Sequence, residues 1–342
     1  MTNSHSPKRA TISDVSRLAQ VSTATVSRVL NRPDVVSKET ISRVQAAIKE
    51  VDYIPNPSAR VLAGGKTSTI GLIVPEIGDR TLLPMLSGIE TGTRENSYHL
   101  LIYSTGQRTI SSEELLKAMG PHNTDGLLVY VNSLDEIALR HLNKIGTPIV
   151  LLHQIPPPNL KLPYVTFQNT SAVKELVDHL IEVHGYRRIA FLRGPKGHDD
   201  SRLREMGYLE SLKSHGIAYR PELVGFGGFN PRDSAETVTA WIAAGLGFDA
   251  IFCGDDMAAF GTIQALEKAG LRVPEDVAIA GFDDIDIGYN ISPPLTTVHA
   301  DFQRAGFQAT LMLAKLINKV RPKSVVLPTH LVIRRSCGCW WS

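Results

Sequence analysis

The 342-residue sequence is poor in cysteine, has no long apolar run and is almost neutral overall. Each shortage excludes a class of protein. Three cysteines, Cys253, Cys337 and Cys339, cannot frame a disulfide scaffold and suit a reducing compartment. Cys337-Gly338-Cys339 stands without histidine ligands nearby in sequence and reads as two inert thiols in a tail. No stretch of ~18 uncharged apolar residues is present, so no membrane partner is expected. MTNSHSPKRA lacks the apolar core of a secretion signal, and the expected location is cytoplasmic. Also missing are the GxxxxGKS/T phosphate loop, the GxSxG nucleophile turn and the HExxH zinc motif, while GFGGFN follows no convincing nucleotide-binding strand-turn-helix and counts for little. His179 and His184 are five apart, off any common helix face. No catalytic residue, metal site or cofactor is expected.

The near-zero net charge hides an uneven distribution. Residues 1–66 hold ten Lys/Arg against five Asp/Glu, a balance of +5 that leaves −3 for the remainder. A basic end suits a polyanion such as nucleic acid. Caps and periodicity divide it into three short helices. Thr11 caps the first, with Asp14 at capping-box spacing and Ile12, Val15, Leu18 and Ala19 as a buried stripe. Ser22 caps the second, stapled by Val21 and Val26. Val36, Ser37 and Ile41 repeat that grammar for a third, whose core face is Ile41, Val44, Ile48 and Val51. Two capped helices across a short turn make a helix-turn-helix. Val26, Val29 and Leu30 of the second helix point inward, Ala24 and Arg28 lie opposite, and Thr23 sits in the first turn, a face small enough to approach a major groove closely. The competing reading is a three-helix protein-binding module.

Residues 56–67, NPSARVLAGGKT, start like a helix at Asn56-Pro57 and stop at Gly64-Gly65, too short to stand alone in water. From TISDVSRLAQVSTATVSRVLN through NPSARVLAGGKTSTIGLIVP the chain resembles the headpiece and hinge of the lac repressor and galactose repressor (LacI/GalR) family. The resemblance implies base reading by Thr23, Ala24 and Arg28, phosphate contacts by Ser22, Thr25 and Ser27, further DNA contacts from Thr11, Asn31, Ser58 and Arg60, and a minor-groove wedge at Leu62. A hinge that folds only on DNA would act as a switch, because binding must supply the free energy of ordering.

Beyond Lys66, TIGLIV, HLLIYS, DGLLVYV, PIVLLH, IAFLRG, DAIFCG and VAIAGF read as buried parallel strands alternating with helix-length segments, which implies doubly wound sheets. Their number exceeds one sheet, so two lobes with a cleft are expected. VPEIGDRTLLPMLSGIE, SRLREMGY, VPEDVAIAGFDD, SPPLTTV and LPTHLVIRRSCG resemble the periplasmic-sugar-binding fold that serves as the family's effector domain. The fold class is thus an all-α helix-turn-helix headpiece followed by an α/β two-lobed periplasmic-binding-protein-like domain. The expected boundaries are 1–55 for the headpiece, 56–66 for the hinge and 67–342 for effector binding and dimerisation. Its first lobe covers about 67–166 and 299–327, its second about 168–297 and 329–338.

Ligands in such sheets sit beyond the carboxyl ends of the strands. Candidate effector contacts are Asp79, Thr81, Leu82, Tyr130, His153, Arg204, Phe229, Asp255 and Asp283. Among these the resemblance implies that Arg204 grips the effector, Asp283 supplies a carboxylate and Phe229 covers the ligand, a combination that suits a polyol. Asp255, His153, Gln168 and the run DRTL at 79–82 depart from the family pattern at the mouth or floor of the cleft, which points to an unusual ligand. The expected partners are double-stranded operator DNA, a small sugar-like effector and a second copy of the chain. The alternative is an enzyme using Asp255, Asp256, Asp283 and Asp284 around Mg²⁺, or a free-standing sugar-binding protein.

Overall fold

The computed structural model describes residues 10–54 and 66–340, apart from the side chain of Asn31. Ser58, Arg60 and Leu62 lie outside the described residues. The chain divides into two compact units between Thr67 and Ser68.

In the first unit, capping chemistry sets the helix starts. Helix α1 (Ile12–Leu18) begins at Thr11, whose hydroxyl accepts the Asp14 N–H at 3.3 Å while the Asp14 carboxylate accepts the Thr11 N–H at 3.0 Å. Ser22 accepts the Thr25 N–H at 3.1 Å to start α2 (Thr23–Asn31), and Ser37 accepts the Thr40 N–H at 3.3 Å to start α3 (Lys38–Glu50). Val15, Ala19, Val26, Val29, Val44 and Ala47 form the shared core. One expectation fails: Leu18 is 43% exposed. It is the last residue of a seven-residue helix and stands about 100° from Ala19, on the flank of the stripe rather than in it.

The second unit holds two parallel sheets. The larger has the order β11-β5-β4-β3-β1-β2, built from Thr69–Val74 (β1), His99–Ser104 (β2), Gly126–Tyr130 (β3), Ile149–Leu152 (β4), Tyr164–Phe167 (β5) and Val325–Leu327 (β11). The smaller has the order β7-β6-β8-β9, from Ile189–Arg193 (β6), Val224–Phe226 (β7), Ala250–Cys253 (β8) and Ala278–Ala280 (β9). Contrary to expectation, GFGGFN runs from β7 into a helix over Pro231–Ala243; a strand of three residues is too short to show in the apolar pattern. Strands covered on both faces read as unbroken apolar runs, and β3, β4 and β8 are buried along their whole length. Strand β2 was expected to be buried and is not: it is the edge strand, with Leu101 39% and Ile102 40% exposed. Apolar content alone does not tell an edge from a centre.

Three connections join the sheets. After β5 the chain enters α7 (Asn169–Glu182) beside the smaller sheet; β10 (Thr297–His299) leads back into α12 (Phe302–Ile317); and β11 is followed by β12 (His330–Val332), which pairs antiparallel with β10. Helix α12 packs against α4 (Leu82–Glu95) through glycines: a Cβ on Gly88 would stand 1.9 Å from the Gln303 carbonyl oxygen, and one on Gly306 2.2 Å from that of Met85. The two helices start at Leu82, after Thr81, and at Phe302, where Asp301 caps the first turn by accepting the Arg304 N–H.

Candidate functional site

The carboxyl ends of β1, β3, β4, β6, β8 and β9 face one cavity of about 660 Å³ between the two lobes of the second unit. This is where helix-flanked parallel sheets expose backbone ends and polar loops. Four residues of its wall, Asn132, His153, Phe229 and Asp283, have left-handed backbone φ of +58°, +58°, +56° and +109°. Side chains seldom adopt that conformation, and its clustering here marks a site where aim takes precedence over backbone comfort.

On the first lobe, Asp79 accepts the Thr81 hydroxyl at 2.7 Å, the Thr81 N–H at 2.8 Å and the Tyr130 hydroxyl at 3.0 Å. Burial, then the Asp79 charge, pushes the Tyr130 phenol well above its ordinary range, so it stays a donor. The His153 ring lies among Tyr130, Phe167 and Phe302, with centroids 5.6, 5.0 and 5.3 Å away. Its Nδ1 is 3.3 Å from Asp200 of the other lobe, a contact that links the lobes across the cleft.

Arg204 dominates the second lobe. It lies on α8 (Asp199–Ser214), is 3% exposed, and donates from Nε to Asn169 at 3.0 Å, from Nη1 to the Gly254 carbonyl at 2.5 Å and from Nη2 to Asp283 at 3.0 Å. The Phe282 ring lies 3.7 Å beneath the guanidinium and the Phe229 ring 5.4 Å away. Burial raises the carboxyl of Asp255 to about 7 and that of Asp283 upward as well, with Arg204 opposing both. The Asp255 charge further disfavours ionisation of Asp283, so the two carboxyls oppose each other's charge around one guanidinium. Burial also disfavours the Asp200 carboxylate, yet the His153 hydrogen bond and charge, with Arg204 and His198, outweigh it and hold Asp200 well below the usual range.

Two buried ring nitrogens in the wall, His153 Nε2 and His198 Nδ1, have no hydrogen-bond partner among the described residues. Leaving such a group unmade costs ~1–3 kcal/mol, which a ligand hydroxyl would recover. Burial keeps His198 below the ordinary imidazole range, hence neutral. The cavity therefore offers two imidazole nitrogens, carboxyls that accept, a guanidinium that donates and an aromatic ring, all suited to a small polyhydroxyl compound.

In the first unit the outer side of α2 is exposed at Thr23, Ala24 and Arg28, and Arg28 has no ion-pair partner among the described residues, whereas Arg17 is held by Asp14 at 2.9 Å. Model matching assigns residues 11–56 to bacterial regulatory proteins of the lacI family, and residues 177–337 to a periplasmic binding protein-like domain. The transcriptional repressor CytR of Escherichia coli K12 is 32% identical over 329 residues, 96% of each chain. The chain belongs to the LacI family. Another relative, the regulator CelR of Thermobifida fusca, is 32% identical over 96% of this chain and 98% of its own. Among solved structures, a complex of CelR with cellobiose matches at TM-score 0.73 and 30% identity, covering 96% of this chain and all of that one. The lac repressor dimer bound to operator and the anti-inducer ONPF matches at 0.82 and 25%, over 96% and 99%.

In this LacI-family regulator the structure sorts the residues read from sequence. Asp79, Thr81, Tyr130, His153, Arg204, Phe229, Asp255 and Asp283 all line the cavity. Leu82 does not: it is 1% exposed and packs in the core, because the first residue of α4 faces the sheet rather than the cleft. Gln168 is also absent from the wall, an exposed residue at the start of α7, while its neighbour Asn169 is buried against Arg204. The four aspartates considered for Mg²⁺ divide. Asp256 accepts the Thr297 hydroxyl at 2.6 Å and the Ile285 N–H at 3.0 Å, and Asp284 bonds His299 at 3.0 Å and Arg334 at 2.5 Å, so both tie the second lobe to its crossovers. Among the described residues they form no cluster able to hold an ion.

On the headpiece, Ser22 is exposed like Thr23, Ala24 and Arg28, while Thr25 and Ser27 are half-buried. Thr11 and Ser22 already serve as caps, so any phosphate contact must share their hydroxyls. Sequence reasoning missed Asp200, His198 and Asn169. Two aspartates opening a helix look like ordinary first-turn acids, and nothing local reveals that Asp200 faces His153, 47 residues away.

Proposed function

We propose that the chain is a repressor whose operator affinity is switched by a small sugar or sugar derivative, that it works as a cytoplasmic homodimer, and that it is not an enzyme. The observation that carries this reading is the Arg204 network: a buried guanidinium, two buried carboxyls, an aromatic ring and two unpartnered imidazole nitrogens around one cavity, in a chain that also exposes the small outer face of a recognition helix. Those groups bind and orient hydroxyls. Two headpieces related by two-fold symmetry would read two half-sites, since one module buries little surface on DNA. The exposed apolar edge at Leu101 and Ile102 supports pairing with a second copy. Thr23, Ala24 and Arg28 would reach bases, with Ser22, Thr25 and Ser27 at phosphates. The proposed hinge at 56–66, with Leu62 as wedge, would couple the two units. An effector shifts the operator equilibrium only through different affinity for the two states, so induction and corepression are both open to this design.

The test is an operator titration by fluorescence anisotropy with and without mono- and disaccharides. A carbohydrate that moves operator affinity at least about tenfold is the expected result; no response to any small molecule, or turnover of a sugar, would remove this reading. The pH dependence adds a second check. Hydroxyls donate to the ionised form of Asp255, so effector affinity should rise as pH passes about 7, and Asp255→Asn should flatten that rise and weaken binding about 10–100-fold. Stability has the opposite slope. A carboxyl whose folded pKa is raised stabilises below its unfolded range and loses that contribution as pH rises through about 7 for Asp255 and about 8 for Asp256, where burial is again the leading cause. Urea midpoints between pH 5 and 8 read this directly.

A further inference from the structure

Far from the cleft, four side chains set aside in the sequence meet: His179, His184, Cys337 and Cys339. Their ligand atoms all lie within 4.8 Å of one another, and among the described residues no other group of His, Cys, Asp or Glu could hold an ion in this way. The sequence reading fails at two points. It dismissed the two histidines because they share no helix face, whereas α7 ends at Glu182, leaving His179 in its last turn and His184 just beyond, where the chain reverses at Gly185 with φ +73°. It placed the cysteines in a loose tail, whereas Cys337 and Cys339 are 0% and 2% exposed and pack in the core.

The geometry points to a structural zinc site of the Cys₂His₂ type. His179 Nε2 is 3.7 Å from both sulfurs, and His184 Nε2 is 3.4 Å from Cys339 Sγ. A tetrahedral Zn²⁺, with Zn–S near ~2.3 Å and Zn–N near ~2.0–2.1 Å, requires N···S edges of about 3.5 Å. His179-x₄-His184 has the ligand spacing common in such sites; Cys337-x-Cys339 is tighter, and Gly338 makes it workable. With φ +104°, Gly338 turns both sulfurs to one side, and a Cβ there would press on the Tyr186 hydroxyl at 3.2 Å and the His184 ring at 3.3 Å. Tyr186 supports the arrangement by stacking on His184 at 5.4 Å and donating its hydroxyl to the Cys337 carbonyl at 3.2 Å.

Charge favours zinc as well. Two thiolates and two neutral imidazoles cancel Zn²⁺, so the buried complex is neutral, whereas two buried thiolates without a cation would be costly. Metal-free, the Cys337 thiol donates to the Arg334 carbonyl at 3.3 Å, a bond that ligation replaces. Sulfur and imidazole in tetrahedral array select Zn²⁺ over hard cations, and four protein ligands leave no open position for catalysis. The ion would clip the segment after β12, which completes the third crossover, to the end of α7.

The full-length protein, purified under reducing conditions, is analysed for metal beside the Cys337→Ser/Cys339→Ser variant. Expected are about one zinc per chain in the wild type and less than about a tenth of that in the variant. Cobalt(II) added to metal-stripped wild type gives a reading that does not depend on how the variant folds: tetrahedral thiolate ligation produces strong visible absorption, which added zinc abolishes. Wild-type protein that takes up neither metal, its two cysteines titrating as free thiols or joined to each other, overturns the proposal. Full zinc content in the double variant overturns it too.

Discussion

Arg204→Met should abolish the effector response while operator binding persists, and should destabilise the second unit by about 3–5 kcal/mol. The guanidinium is 3% exposed and has three separate acceptors, Asn169, Gly254 and Asp283. Methionine fills much of the volume and packs on Phe282, so the loss is electrostatic: Asp283 keeps its burial without a cation, and a carbonyl and an amide oxygen lose their donor. Arg204→Lys retains the charge but concentrates it at one point that cannot span three acceptors, so it should rescue part of the stability and little of the effector affinity. Urea unfolding followed by tryptophan fluorescence, set against operator titrations with effector, separates the two losses. A Lys variant that responds like wild type would show that charge alone is used.

Gly88→Val should cost about 3 kcal/mol or more and reduce the yield of folded protein, with Gly306→Val similar. At Gly88 the new Cβ would stand 1.9 Å from the Gln303 carbonyl oxygen, and at Gly306 2.2 Å from that of Met85. Both obstacles are backbone, which cannot swing aside as a side chain can. Relief requires the two helix axes to separate, and that moves Phe302 and Thr81, whose residues form part of the cavity. A melting curve reads the first effect, effector affinity in the surviving protein the second. Wild-type stability in either variant would mean the helices are not held at this spacing.

Several features were legible because their causes are local. The three caps at Thr11, Ser22 and Ser37 act over three residues, and the unbroken apolar runs of β3, β4 and β8 announce strands covered on both faces. Asp79, His153, Asp255 and Asp283 could be read as cleft residues because strand ends in parallel sheets converge on one side, whereas Arg204 and Phe229 were implied by the family resemblance. The exceptions have equally physical causes. Leu18 and Leu82 occupy helix ends, where one residue of rotation decides between core and surface, and β2 is apolar yet lies at an edge. Asp200 gains its meaning only from His153 across the cleft.

The sequence by itself determined which segments become helices and strands, that a basic three-helix unit precedes a two-sheet unit, and which side of the sheets carries the chemistry. These follow from periodicity, caps and charge balance, all set by near neighbours along the chain. Only the tertiary structure decided that Arg204 meets two buried carboxyls whose ionisation burial disfavours, and that His179 and His184 meet Cys337 and Cys339 from more than 150 residues away. Electrostatic coupling and metal geometry depend on distances through space to within about an ångström, and no spacing in sequence encodes those until the chain has folded.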